Sequence, residues 1–529
     1  TYLQYTRFAA MDHHSLEVLF LLSSLLFLIL AFCRQEKRYI FAVLAGISLA
    51  ALAYTWHGAI LYLAIIPVYG AVEMAMALKD KRSWQGTAMA LMLALAVAII
   101  LILPYRNAEW LGSSFVGTTA VLGAMAIISA LCYIISKKNM SWKAFPLSII
   151  ILLMASFLLL SRGYFGLLKF GLELIWGGSW IGMISEAEPL IYDWLTFKQV
   201  LFSGLGLNLL FALAGFAVIL IYIRNSQGGR RQGLMILLLW AAFSIALTFG
   251  QLRFLYMSTI SMGILISILF FYLLDLIRDR LGESNQRSIL PAILILFLFL
   301  TLPSIAEVVN TVTYSDPMIK GDWQESMAWL KENSNATSFF DAPVKTPEYS
   351  VMCWWDYGNW IMYMAERPVV ASNFQAGWED AAKFYLSESE ENATALLDER
   401  GSKYVFLDHS MAYGKLGAIA NWAHEDLTTY FMAQDYSGTQ ITVIPTQRLF
   451  NTTLGKLYYF DAAGTGHFRL IYESRTFLGE NPAKAQVKIF EYVPGALIRV
   501  RTGPDQKVGC VLNMTSNQDR PFIYANQAA

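Results

Sequence analysis

Residues 86–104 read GTAMALMLALAVAIILILP, 19 consecutive positions without an ionisable side chain. An α-helix rises about 1.5 Å per residue, so a run of this length crosses a hydrocarbon core of about 30 Å. Inside lipid every backbone N–H and C=O needs an internal partner, and a helix supplies them. Runs of the same kind lie at roughly 16–33, 39–54, 58–78, 116–135, 145–161, 205–223, 233–250, 254–277 and 288–303, giving about ten spans in all. A few are short enough to be buried or re-entrant instead.

The pattern stops near Pro303. The chain of 529 residues averages 56% apolar and 15% charged, and that average joins two unlike halves. Residues 1–304 carry 21 basic and 13 acidic side chains, residues 305–529 carry 18 and 26, and the halves are therefore near +8 and −8. Numbering the connections between spans alternately puts 15 basic residues on one side, among them Arg34, Lys37, Arg38, Lys79, Lys81 and Arg82, and six on the other. By the positive-inside rule the first set faces the cytoplasm. The N-terminal segment, the loop 162–204 and everything after residue 304 are then extracytoplasmic. An acidic outer domain without a basic stripe excludes a nucleic-acid partner.

Of five asparagine sequons, four, at Asn335, Asn392, Asn451 and Asn513, fall in this outer half, and the fifth, at Asn139, falls in a cytoplasmic loop. Of four cysteines, Cys33 and Cys132 lie in spans. Cys353 and Cys510 could pair outside, but the spacing makes no disulfide framework. The chain opens at Thr1 without an initiator Met, signal pattern or preceding span, and reads as a fragment.

The outer half mixes periodicities. DWQESMAWLKENSNA (322–336) is helical, CWWDYGNWIMYMAERPVVAS (353–372) reads as loop, short helix and strand, and 378–408 as helix, helix, strand. That alternation predicts an α/β domain. Strand-like segments from about residue 440 onward, ITVIP, FRLIYESR and AQVKIFEYV, predict a smaller β-rich tail.

Four places put ionisable or aromatic groups at the outer membrane face. Asp12-His13-His14 precedes a span; Asp12 and a histidine could converge on a divalent cation, or Asp12 could simply cap the helix. Glu186 and Glu188 sit in the long outer loop, and spacing does not choose between them. Arg253 ends a span on the side poor in positive charge, suiting a lipid phosphate held bidentately or ordinary snorkelling. Trp56 and His57 occupy a short turn, where a tryptophan usually anchors to the interface.

Cys353–Trp360, CWWDYGNW, sets three tryptophans around one carboxylate. Trp354-Trp355-Asp356-Tyr357-Gly358 resembles the WWDYG signature of oligosaccharyltransferase catalytic subunits. The other motifs follow in the family's order. Asp12-His13-His14 resembles the second acidic metal motif in its archaeal form, and Met183-Ile184-Ser185-Glu186 resembles the outer-loop motif, with Met183 in place of Thr or Ser. Arg253 resembles the arginine near the lipid pyrophosphate. LDHSMAYGKLGAI, with Asp408, Met411, Lys415 and Ile419, resembles the archaeal and eukaryotic DK-type motif.

The resemblance implies a multi-pass membrane domain of the GT-C glycosyltransferase type over 1–304 and a soluble extracytoplasmic domain over 305–529. Roughly three spans are expected to precede residue 1. The implied reaction transfers an oligosaccharide from a dolichyl phosphate or diphosphate to the Asn of Asn-X-Ser/Thr, with inversion, in the cell membrane, as a single subunit. Asp12 and His14 are implied to hold Mn²⁺ or Mg²⁺, and Arg253 and His14 to face the donor phosphate. Glu186 and Asp12 are implied to be catalytic, Glu186 by binding the acceptor amide. Trp354, Trp355, Asp356, Lys415, Met411 and Ile419 are implied to read the sequon, with Tyr357, Gly358 and Asp408 completing the motifs. The family's first outer loop adds a catalytic Asp that this chain does not contain, so these residues alone are expected to be inactive.

Indole only donates hydrogen bonds, whereas a hydroxyl both donates and accepts. Trp354 and Trp355 can therefore donate to a Ser/Thr oxygen while Asp356 takes its proton. A protein O-mannosyltransferase would share acids before an early span and a lipid donor, but has no need of a sequon reader. A lipid-linked sugar transporter should carry ionisable groups at mid-membrane, whereas Glu73 and Asp275 fall near cytoplasmic ends.

Overall fold

The computed structural model describes residues 13–159, 194, 198, 207–280, scattered positions from 291 to 313, and 319–528 except 343, 374, 375, 436–440, 480, 481, 502 and 504–506. It divides into two compact units, Thr1–Tyr314 and Ser315–Ala529.

The first unit is helical among its described residues. Its helices are α1 (His14–Cys33), α2 (Arg38–Thr55), α3 (Ile65–Lys79), α4 (Gln85–Ile102), α5 (Glu109–Lys137), α6 (Ala144–Leu159), α7 (Leu207–Asn225), α8 (Gly228–Gly250) and α9 (Leu255–Arg280). Eight helical segments among the described residues are long and apolar enough to cross a membrane, and Ala144–Ser156 is a shorter apolar helix. Most of the span expected at 288–303 falls outside the described residues. α1 packs on α2 and α8, α2 on α4, and α7 on α9. Leu19, Ile40, Ile100 and Val116 point out of this packing, more than half exposed. Such a surface would be a liability in water and suits contact with lipid tails.

The acids near the basic end are tied down. Glu73 has no exposed surface and accepts from Arg82 Nη1 at 3.1 Å and Gln232 Nε2 at 2.7 Å, so it serves packing between α3 and α8.

The second unit is built on a sheet ordered β1-β2-β8-β5. Its strands are β1 (Ser350–Met352), β2 (Ser402–Asp408), β3 (Phe431–Asp435), β4 (Ile441–Pro445), β5 (Phe468–Glu473), β6 (Phe477–Leu478), β7 (Lys484–Ala485), β8 (Val487–Tyr492), β9 (Val508–Thr515) and β10 (Pro521–Ala528). β1 runs parallel to β2, and β8 antiparallel to both β2 and β5. Helices α10 (Gly321–Asn333), α11 (Trp355–Trp360), α12 (Trp378–Leu386), α13 (Glu390–Glu399), α14 (His409–Ala412) and α15 (Leu416–Trp422) surround it.

The strands expected at ITVIP, FRLIYESR and AQVKIFEYV form as β4, β5 and β8, and the chain after residue 440 is rich in strands. β5 and β8 belong to the central sheet, because β8 pairs with β2 from Tyr404↔Glu491 to Asp408↔Val487. Alternation along a strand marks its faces and says nothing of its partner across such a separation. The β3–β4, β6–β7 and β9–β10 pairs stand apart from that sheet as two-stranded ladders, and residue 520 lies between the strands of the last. Arg520 donates to buried Glu473 (2.9 and 2.6 Å) and to Asp461 (2.8 Å), which also binds Lys488 at 2.5 Å.

Strand β1 ends at Met352 and α11 begins three residues later, so Cys353 and Trp354 form the turn between them. Gly358 in α11 lies against residues 371–372; a Cβ there would meet Ala371 O at 2.1 Å and Ser372 Cα at 2.7 Å. Backbone cannot yield as a side chain can. Gly358→Ala is therefore expected to shift α11 and cost about 1–3 kcal/mol, read as a lower melting temperature of the whole protein.

All four cysteines are free. Cys353 is buried and its thiol pKa is pushed up to about 12 by that burial, whereas Cys510 is exposed. In native protein a polar maleimide should label Cys510 and reach Cys353 only after denaturation; equal native labelling of both would contradict this packing.

Candidate functional site

Two clusters stand out, one in each unit. In the first unit, the start of α1, the turn 56–62 and the turn 251–256 meet. His13 stacks on Trp56 with ring centroids 5.6 Å apart, and His14 lies 4.8 Å from the Tyr256 ring. Arg253 places its guanidinium 5.8 Å from the Trp56 ring and 5.3 Å from Phe254. Its Nε is buried with no partner among the described residues.

Beneath the two imidazoles is Glu17, without exposed surface. Oε1 accepts from the hydroxyls of Tyr62 and Tyr256, both at 2.5 Å. Oε2 lies 3.4 Å from His13 Nε2 and 3.4 Å from His14 Nδ1. Donor atoms of His13, His14 and Glu17 all fall within 4.8 Å of one another. Two imidazoles and a carboxylate this close make a nitrogen and oxygen donor set suited to a divalent first-row cation.

Asp12 and Glu186 lie outside the described residues. Of the other sequence candidates here, His14 and Arg253 come together with His13 and Trp56. Trp56 is only 9% exposed, stacked on His13 and beneath Arg253. That corrects its reading as an interfacial anchor: its rings are spent on histidine and arginine. Glu17 was passed over, although HHSLE carries a signal, since residues three and four apart share a helix face. Tyr62 and Tyr256 had none, being brought in by packing alone.

In the second unit the WWDYG residues meet the segment after β2. Asp356, in the first turn of α11, accepts from Lys415 Nζ at 2.5 Å, and each side chain is about a third exposed. The same ammonium stands 4.4 Å from the Tyr357 ring. Asp408 closes β2 and is 2% exposed. Its Oδ1 accepts from the Met411 N–H at 2.9 Å, capping α14, and its Oδ2 from the Tyr357 hydroxyl at 2.9 Å and Trp323 Nε1 at 3.2 Å. Burial holds the Asp408 carboxyl above the usual carboxylate range, with these donors pulling the other way. Asp408 thus ties α10, α11 and α14 to one point, which spacing alone did not reveal.

The indole N–H groups of Trp354 and Trp355 are buried, and neither has a partner among the described residues. Their rings are 6.3 Å apart and steeply inclined at 72°. Trp360, half-buried, instead packs on Trp323 and Tyr357. Met411 and Ile419 have no exposed surface and flank Lys415 in α14 and α15. The second cluster therefore offers buried donors, an acceptor and a cation on adjoining residues.

Residues 1–309 match the family described as oligosaccharyl transferase STT3, N-terminal, and residues 320–412 the AglB core domain. Dolichyl-phosphooligosaccharide-protein glycotransferase 1 of Archaeoglobus fulgidus is 27% identical over 517 residues, covering 91% of this chain and 75% of its own. The solved Archaeoglobus fulgidus oligosaccharyltransferase AglB, in complex with an inhibitory peptide and a dolichol-phosphate, superposes with TM-score 0.76 at 20% identity, covering 100% of this chain and 76% of that one. A complex of an oligosaccharyltransferase from the same organism with Zn and sulfate gives TM-score 0.74 at 20% identity, with the same coverage.

Proposed function

From the premise that this chain belongs to the STT3 family of oligosaccharyltransferases, we propose that it transfers an oligosaccharide from a dolichyl phosphate or diphosphate to the asparagine of Asn-X-Ser/Thr in extracytoplasmic proteins. It is a multi-pass membrane protein, and the basic bias of alternate loops supports a second unit facing outward from the cell membrane. The observation that carries the acceptor side is the pair of buried indole donors at Trp354 and Trp355, without a hydrogen-bond partner among the described residues, beside Asp356.

A Ser/Thr hydroxyl would accept from an indole N–H and donate to Asp356. The carboxylate has lone pairs to spare beside its bond to Lys415. Lys415 holds Asp356 in place, and its ammonium rests on the Tyr357 ring, whose hydroxyl is fixed by Asp408. Met411 and Ile419 would shape the pocket from within the core. Selectivity follows from cost: a residue without a hydroxyl leaves the buried donors unmet, at about 1–3 kcal/mol each.

On the donor side, His14 with Asp12 would hold Mn²⁺ or Mg²⁺, and the imidazole favours the softer Mn²⁺. A bound cation supplies neutralisation of charge on the leaving phosphate. Arg253, whose buried Nε has no hydrogen-bond partner among the described residues, would donate to that phosphate. An amide nitrogen is a weak nucleophile because its lone pair is delocalised, and Glu186 would bind the acceptor amide N–H and weaken that conjugation. The direct test supplies the full-length protein with a dolichyl-phosphate-linked oligosaccharide and a fluorescent Asn-X-Thr peptide, with and without Mn²⁺. Glycopeptide is expected only with the cation; none in either case would refute the reading.

A further inference from the structure

Glu17 takes no part in the transfer as proposed, yet its position is costly. A carboxylate without exposed surface loses its hydration and is kept where it has partners and a task. Its partners divide cleanly. Oε1 takes two hydroxyl donors, Tyr62 and Tyr256, from two other segments of the chain, which fills both lone pairs of that oxygen. Oε2 is left facing the imidazoles of His13 and His14, at 3.4 Å from each.

Exposure falls inward along the helix start, from 31% at His13 to 3% at His14 and none at Glu17. The carboxylate therefore lies behind the imidazoles, pinned from its far side.

We propose that Glu17 is a positioning residue of the donor-side centre, fixing the tautomers and ring orientations of His13 and His14 through Oε2. A carboxylate oxygen 3.4 Å from His14 Nδ1 favours the tautomer protonated at that nitrogen, which makes Nε2 the lone-pair donor for a divalent cation. Carboxylates behind ligating histidines act in this way and raise ligand basicity. Tyr62 and Tyr256 carry the arrangement one step further, since they hold the carboxylate itself. The inference rests on the reading that His14 holds the cation.

The test is Mn²⁺ titration, followed by electron paramagnetic resonance, of the full-length protein in cation-free detergent, alone and as Glu17→Gln and Tyr256→Phe. Glu17→Gln keeps the shape and removes the charge. It is expected to bind Mn²⁺ about 10–100-fold more weakly while keeping imidazole nitrogen couplings at saturation and the same KM for acceptor peptide. Tyr256→Phe removes one hydroxyl and is expected to shift Mn²⁺ affinity the same way by less, which also serves should Glu17→Gln misfold. Affinity within twofold of the parent in both variants would overturn the proposal. So would complete loss of Mn²⁺ binding in folded Glu17→Gln, which would make Glu17 a direct ligand. If the parent transfers glycan and neither variant alters Mn²⁺ affinity, the positioning role fails and the transfer reading stands. If affinity responds as expected but the parent transfers nothing, the transfer reading fails and the positioning role stands.

Discussion

Replacing Asp356 by alanine is expected to lower kcat/KM for an Asn-X-Thr peptide by about 100-fold, chiefly through KM, with little change in melting temperature. A hydrogen bond to a charged group contributes about 1.5–3 kcal/mol, and about 2.7 kcal/mol is a factor of 100. The fold should tolerate the change because Asp356 is about a third exposed and bonds outward to Lys415, while the buried tie among α10, α11 and α14 runs through Asp408. Asp356→Asn keeps an acceptor oxygen without the charge and should fall between parent and alanine variant. A kcat/KM within threefold of the parent for Asp356→Ala would remove the carboxylate from acceptor binding.

His14→Ala is expected to reduce transfer by on the order of 1000-fold, through kcat, with peptide KM unchanged. Stabilisation of charge on a leaving phosphate by a cation contributes several kcal/mol, and each 1.36 kcal/mol is tenfold in rate. The imidazole is 3% exposed and wedged between the Tyr256 ring and Glu17, so neither a flanking side chain nor solvent can easily replace it. Excess Mn²⁺ should restore part of the activity if weakened cation binding is the cause. Transfer by His14→Ala at the parental rate, at the Mn²⁺ concentration that just saturates the parent, would show that His14 serves packing alone.

What the sequence made legible follows from the range of each interaction. Span positions could be read because lipid demands long apolar runs within one continuous segment, and α1 to α9 lie where those runs fall. That Trp354, Trp355 and Asp356 stand together could be read because adjacent residues share one turn. Partners distant in sequence could not. Nothing around Asp408 announced Trp323, 85 positions away, and nothing around Glu17 announced Tyr256, 239 positions away. Trp56 was misread for the same reason: a tryptophan in a short turn looks like an anchor until His13 and Arg253 arrive from elsewhere in the chain. The pairing of β8 with β2 is likewise set by the core they share rather than by either strand's alternation.

The central claim is that two buried indole donors and Asp356 select a hydroxyl two residues after the acceptor asparagine. It is tested most directly by kcat/KM of the full-length protein for matched Asn-X-Thr and Asn-X-Ala peptides, before and after Trp354→Phe and Trp355→Phe. The account predicts a preference for threonine of at least about 100-fold that each substitution narrows by about tenfold or more. Equal use of the two peptides by the unsubstituted protein, or a preference that neither tryptophan affects, would contradict it.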